Sequence, residues 1–133
     1  MQIVISFFSA LVSLLVIDGV WLTLMGKSFY AVKLGEMMSK NFQLLPAGIF
    51  YLIYAFGLTM LVIIPAIQGH FSLLKVFLFG ALLGLVAYSA YDLSNQATLK
   101  NWPLIVTIVD LIWGSLLTGT VSVITVLITK YFS

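Results

Sequence analysis

The sequence contains no cysteine and no arginine, has one histidine (His70), and places charge at only 8% of its 133 positions. Each scarcity excludes something. Without cysteine there are no disulfides, thiolate metal sites, iron–sulfur clusters or cysteine nucleophiles. One histidine with no cysteine beside it cannot build a zinc or di-iron centre, so no metal site is expected. A soluble domain carries roughly 25% charged residues, and a chain this poor in charge cannot cover a water-facing surface. The net charge of +2 rests on six scattered lysines. That is solvated loop charge rather than a polyanion-binding face, so no nucleic-acid partner is expected. What fills the chain instead is hydrophobic residues, at 62%. These numbers point to one integral membrane domain over residues 1–133.

A helical span needs about 20 largely apolar residues to cross a hydrocarbon core about 30 Å thick. Four segments qualify: residues 3–25, 44–66, 71–92 and 103–130. Backbone groups in lipid must be satisfied internally, so the expected fold is all-α, an integral membrane bundle of four transmembrane helices. The first segment lacks a basic leader and runs past Asp18 without a small-x-small cleavage site, which predicts an uncleaved membrane helix. Pro65–His70 reads as a tight turn between the second and third spans. In the longest connection Tyr30, Leu34, Met37 and Met38 recur at helical spacing, with Lys33, Glu36 and Lys40 on another face. That pattern predicts a short interfacial helix between the first and second spans, within residues 27–42.

The spans carry polar stripes. In the fourth, Thr107, Asp110, Gly114, Thr118, Ser122, Thr125 and Thr129 follow steps of three and four. In the third, Gly80, Gly84, Tyr88, Tyr91 and Asn95 do the same, and the first span adds Ser6, Ser9 and Ser13. Such stripes face protein or a water-filled cavity rather than lipid, and close helix packing accounts for the small residues among them.

All four acids fall toward one end of this arrangement. Asp18 lies seven residues before Met25 and Asp110 seven after Pro103, which predicts about 10 Å of depth below the same face for both. Asp92 closes the third span on that side, and Glu36 lies in the long connection. An Asp at mid-span costs about 2.5 to 3.5 kcal/mol, and each Leu, Ile, Phe or Val returns about 0.3 to 0.6. The first span has fourteen of these residues, so it inserts despite Asp18. An intramembrane acid remains a candidate functional group by default. Asp18 and Asp110 each open an Asp-x-x-Trp pattern, ending in Trp21 and Trp113. The expectation is that Asp18 and Asp110 share a proton or hold a cation, with Trp21, Trp113 and Tyr91 as aromatic walls and Asp92 and Asn95 nearby. The competing reading is a lock, in which the carboxylates accept the indole N–H of Trp21 and Trp113 and the hydroxyls of Tyr51, Tyr54, Tyr88 and Tyr91.

The stretch Tyr91–Gly114, YDLSNQATLKNWPLIVTIVDLIWG, closely resembles the signature of the small bacterial membrane proteins called domain of unknown function 2177. Tyr91, Asp92, Leu93, Asn95, Ala97, Thr98, Leu99, Trp102, Pro103, Asp110, Trp113 and Gly114 fit that pattern, and Ser94 stands where Thr is usual. Asp18, Trp21, Tyr30, Leu34 and Gly35 also resemble it. The resemblance implies a multi-pass, four-helix protein of the bacterial inner membrane, and it implies no activity.

Orientation follows from lysines: Lys27, Lys33, Lys40 and Lys100 share the acid-bearing side against Lys75 and Lys130, which places that side toward the cytoplasm. Three functions compete. One is a small-molecule, ion or proton binder or transporter in contact with membrane lipids, acting as a homo-oligomer. The second is a lipid-phase enzyme using Asp92 or Asp110 as general acid or base. The third is an accessory membrane subunit docked through its small-residue stripes. There is no glycine-rich phosphate loop, Gly-x-Ser-x-Gly elbow or His-Glu-x-x-His motif, so no cofactor is expected and an enzyme ranks below a binder.

Overall fold

The computed structural model describes residues 1–38 and 43–133. Its four long helices are α1 (Gln2–Met37), α2 (Leu44–Gln68), α3 (Leu73–Thr98) and α4 (Leu104–Phe132), all long and apolar enough to cross a membrane. No strand occurs among the described residues. The four expected spans are therefore present, and α3 runs beyond residue 92 to Thr98.

The polar stripe of α4 is its buried side. Thr107, Asp110, Gly114, Thr118, Ser122, Thr125 and Thr129 are all buried, while Ile108, Ile112 and Leu116 face outward. In lipid, apolar side chains gain little by leaving their surroundings for a core, so close backbone approach and hydrogen bonds hold the helices. The closest approach joins α3 to α4. A Cβ on Gly84 would lie 2.1 Å from the Gly114 carbonyl oxygen, and one on Gly80 would lie 2.8 Å from the Thr118 carbonyl oxygen. At the far end Ser6 of α1 meets Thr129 of α4, hydroxyl to hydroxyl, at 2.8 Å. Tyr54 of α2 meets the Thr118 hydroxyl at 2.7 Å. Between these contacts lies an apolar centre that includes Ala10, Leu14, Leu58, Ile63, Val76, Leu117 and Val121.

Two helices contain a widened turn. In α2 the turn Thr59–Ile63 is closed by a hydrogen bond from Ile64 N–H to Thr59 O, one residue before Pro65. Pro65 has no N–H to give and its ring crowds the preceding turn, and the extra residue relieves both problems. In α1 the turn Gly26–Tyr30 is closed by Ala31 N–H to Gly26 O. The segment expected to form its own interfacial helix instead continues α1 through this turn to Leu34, where Gly35, at φ 57°, breaks the right-handed path before a short 3-10 turn to Met37. The break expected near Met25 is absent because Gly26 keeps right-handed helical angles. Residues 39–42 of that segment, Lys40 included, lie outside the described residues.

The α2–α3 turn closes with Phe71 N–H donating to Ala66 O at 2.9 Å, with His70 at φ 52°. Ser72 then caps α3, its hydroxyl accepting from Lys75 N–H at 3.2 Å. Ser72→Ala is expected to lower stability by about 1 kcal/mol, read as a lower thermal midpoint in detergent, and Ser72→Asp is expected to restore it.

Candidate functional site

Asp18, on α1, is 7% exposed and has both oxygens occupied. Trp113 Nε1 of α4 donates to Asp18 Oδ1 at 3.0 Å, and the Tyr51 hydroxyl of α2 donates to Oδ2. One carboxylate therefore ties three helices together through charge-assisted hydrogen bonds.

Asp110, on α4, is 8% exposed and receives a hydrogen bond on Oδ1 from the Tyr30 hydroxyl. Tyr30 in turn accepts from Trp21 Nε1 at 3.0 Å. The chain Trp21–Tyr30–Asp110 is polarised in one direction, each donor strengthening the next. Nine residues separate Trp21 from Tyr30, and the widened turn at Gly26–Tyr30 lies between them. The two indoles stack, with centroids 4.2 Å apart and planes 8° from parallel. The two Asp-x-x-Trp patterns thus interlock: Trp113 serves the acid of α1, and Trp21, through Tyr30, serves the acid of α4.

Asp92 is fully buried, 0% exposed. On α3 it lies between Tyr88, which packs on Gly114, and Gln96, which bonds Thr107, so it stands at the level of Asp110 on α4. Neither oxygen of Asp92 meets a donor. Above these two acids the α3–α4 connection is closed by a ring of side chains. Gln96 Nε2 donates to Trp102 O at 2.9 Å, Trp102 Nε1 to Thr107 Oγ1 at 3.1 Å, and Thr107 Oγ1 to Gln96 Oε1 at 2.8 Å.

Between α1, α3 and α4 opens a cavity of about 210 Å³, lined by Asp18, Trp21, Leu22, Gly26, Tyr30, Leu34, Met38, Tyr88, Asp110 and Trp113. Among the described residues, none of the lining side chains is basic. Tyr88 reaches the cavity because Gly114 has no side chain; a Cβ there would lie 2.3 Å from the Tyr88 ring.

Of the residues anticipated from sequence, Asp18, Trp21, Asp110 and Trp113 line one cavity, and Asp92 lies behind Asp110, outside the lining. Tyr91 is 59% exposed and packs edge-on against Trp102, with ring centroids 6.0 Å apart. Asn95 is half-buried and also outside the lining. Glu36 is exposed. No group of three or more acids and histidines able to hold a metal occurs among the described residues. Tyr30 does not stand out in the sequence as a site residue, because its spacing places it on the face of an interfacial helix. The sequence offers Tyr51 as a donor in the locking arrangement, a bond it makes, and Tyr88 both as such a donor and as part of the α3 stripe.

A family model described as a predicted membrane protein (DUF2177) matches residues 3–127. No curated protein matches the chain, and no solved structure matches it.

Proposed function

We propose, from the premise that the chain belongs to the DUF2177 family of predicted membrane proteins, that it binds a small monovalent cation of the ammonium class in this cavity, in the bacterial inner membrane. The observation that carries the reading is Asp92, buried and without a donor, backing an Asp110 carboxylate that faces an aromatic cavity. A site whose described lining holds acids, indoles and no basic side chain favours positive charge, through Coulomb attraction and cation–π contact together. The volume of about 210 Å³ is below the roughly 300–1,000 Å³ that accommodates drug-sized molecules, so the ligand is small. Asp110 is the anion that meets the ligand, and Trp21, Trp113 and Tyr88 are the walls. Asp18, with both oxygens filled, is a lock for the walls. Four spans are too few to enclose a wide pathway, so carriage across the membrane would need a second copy of the chain.

The ammonium group can arrive free or on a lipid headgroup. Tetramethylammonium titrated into protein in phospholipid-free nonionic detergent is expected to change the fluorescence of Trp21 and Trp113 saturably. Trp102→Phe should keep that response and Asp110→Asn should lose it. Competition by added phosphatidylethanolamine, absent with phosphatidylglycerol, would identify a headgroup as the source. Equal responses in the protein and in Asp110→Asn would refute the reading.

A further inference from the structure

The Asp-x-x-Trp pattern does the same work on both helices that carry it. Trp21 stands three residues after Asp18 and three before Leu24, about 60° from each around α1. Trp113 stands likewise between Asp110 and Leu116 on α4. Asp18 and Asp110 are buried, whereas Leu24 and Leu116 are exposed. Each half-buried indole therefore marks the seam between the site side and the lipid side of its helix. On the lipid side the stacked pair borders a second cavity, an apolar groove of about 370 Å³ lined by Val16, Ile17, Val20, Leu24 and the same two indoles. The groove and the acid-bearing cavity share one aromatic wall.

Their order along the membrane is that of the parts of a lipid. Trp21 on Trp113 sets α1 against an antiparallel α4, so Asp110 comes level with about Leu24. From Leu24 the groove descends to Val16, toward the middle of the span, while the cavity reaches Leu34 and Met38 at the end that carries the long connection. Hydrocarbon fits below and positive charge above.

We infer that the ligand is a membrane amphiphile with an ammonium head, a lipid amine, which enters from the bilayer and rests with its head in the acid cavity and one hydrocarbon chain in the groove. The inference rests on the cation-binding reading above and names the class of ligand. Val16, Val20 and Leu24 are each more than half exposed and offer only hydrocarbon, which suits an acyl chain. The upper end of the groove is level with a carboxylate, which favours a chain that ends in a cation over one that ends in an anion. A free ammonium ion must leave water to reach this depth, whereas one tethered to a chain is held there by the burial of the chain. The molecule bends over the edge of Trp21, whose N–H is engaged by Tyr30 on the site side.

The test uses Trp102→Phe protein, in which Trp21 and Trp113 are the only tryptophans left, reconstituted in phosphatidylglycerol vesicles. Phosphatidylethanolamine with brominated acyl chains, which quench indoles on contact, replaces increasing fractions of the lipid, and brominated phosphatidylglycerol is the reference. A preference of about tenfold for the amine is expected, the size of one partly desolvated cation–π contact, so the extra quenching is half complete at a mole fraction of about 0.1. Asp110→Asn should lose the preference for want of charge, and Val20→Phe should lose it by filling the groove. Val12→Phe adds the same ring at a similarly exposed position outside the groove and should keep it. Equal quenching by the two brominated lipids, in protein that still responds to tetramethylammonium in detergent, overturns the lipid assignment and leaves cation binding standing. A preference that survives Val20→Phe overturns the groove as the seat of the chain. Absence of both the preference and the tetramethylammonium response overturns both readings.

Discussion

Gly84→Ala is expected to destabilise the protein by about 3 kcal/mol, at the upper end of what overpacking costs, and to weaken cation binding with it. The new methyl would stand 2.1 Å from the Gly114 carbonyl oxygen and 2.8 Å from the Thr118 hydroxyl oxygen. The first obstacle is backbone and has no rotamer to adopt, so α3 and α4 must separate. Separation here reaches the site, because α3 brings Tyr88 and Asp92 and α4 brings Asp110, Trp113 and Gly114. Gly57 supplies the control. It also lies inside a helix, but nothing stands within 4 Å of where its Cβ would be. Gly57→Ala should leave the midpoint within about 1 kcal/mol, the scale of helix propensity alone. Unfolding of both variants in detergent, followed by helical circular dichroism, decides the matter. Equal midpoints would show that the α3–α4 contact does not hold the bundle together.

The same contact explains which side chains were legible beforehand. On α3 a stripe that runs Gly84, Tyr88, Tyr91, Asn95 and a ladder that runs Gly84, Tyr88, Asp92, Gln96 are both regular helical patterns. They diverge after Tyr88, and residues 91 and 92 sit about 100° apart around the helix. The choice belongs to α4, whose Gly114 packs under Tyr88 and whose Thr107 donates to Gln96, which sets Asp92 at the level of Asp110. One helix read alone holds no trace of that choice, and so Tyr91 and Asn95 appear as candidates while Gln96 does not. The α4 stripe was legible throughout, because an unbroken run of Thr, Ser, Gly and Asp along one side admits no competing pattern.

Depth was harder to read than sidedness. Counting inward from Met25 and Pro103 assumes that both mark the membrane face. In fact the helix continues past Met25 to Leu34, so Met25 marks no end. The register is instead set by Trp21 on Trp113 and Ser6 on Thr129. It puts Asp18 level with about Leu116, and Asp110 more than one turn nearer the end that carries the long connection. The two acids share a cavity without facing each other, and the nearer partner of Asp110 is the third acid, Asp92. Tyr30 follows from the same continuation of α1, since a broken helix would have carried it away from Asp110.

Asp18→Leu is expected to cost about 3 kcal/mol, whereas Asp18→Asn should cost less than about 1 kcal/mol. Interhelical hydrogen bonds in membranes are worth about 0.6 kcal/mol on average and about 1.7 at most. Asp18 accepts two, both from buried or half-buried donors on other helices and both to a charged group, which places them at the upper end. Leucine leaves the Trp113 indole N–H and the Tyr51 hydroxyl unpaired in an apolar setting. Asparagine loses the charge but keeps both contacts, since its carbonyl accepts from Trp113 and its amide donates to a Tyr51 hydroxyl that rotates to accept. The two variants thus separate hydrogen bonding from charge. Thermal unfolding in detergent, compared with Tyr51→Phe, reads the difference, and Tyr51→Phe should account for about half of the leucine effect. If asparagine destabilises as much as leucine, the negative charge of Asp18 holds the helices, and its assignment as a lock for Trp113 falls.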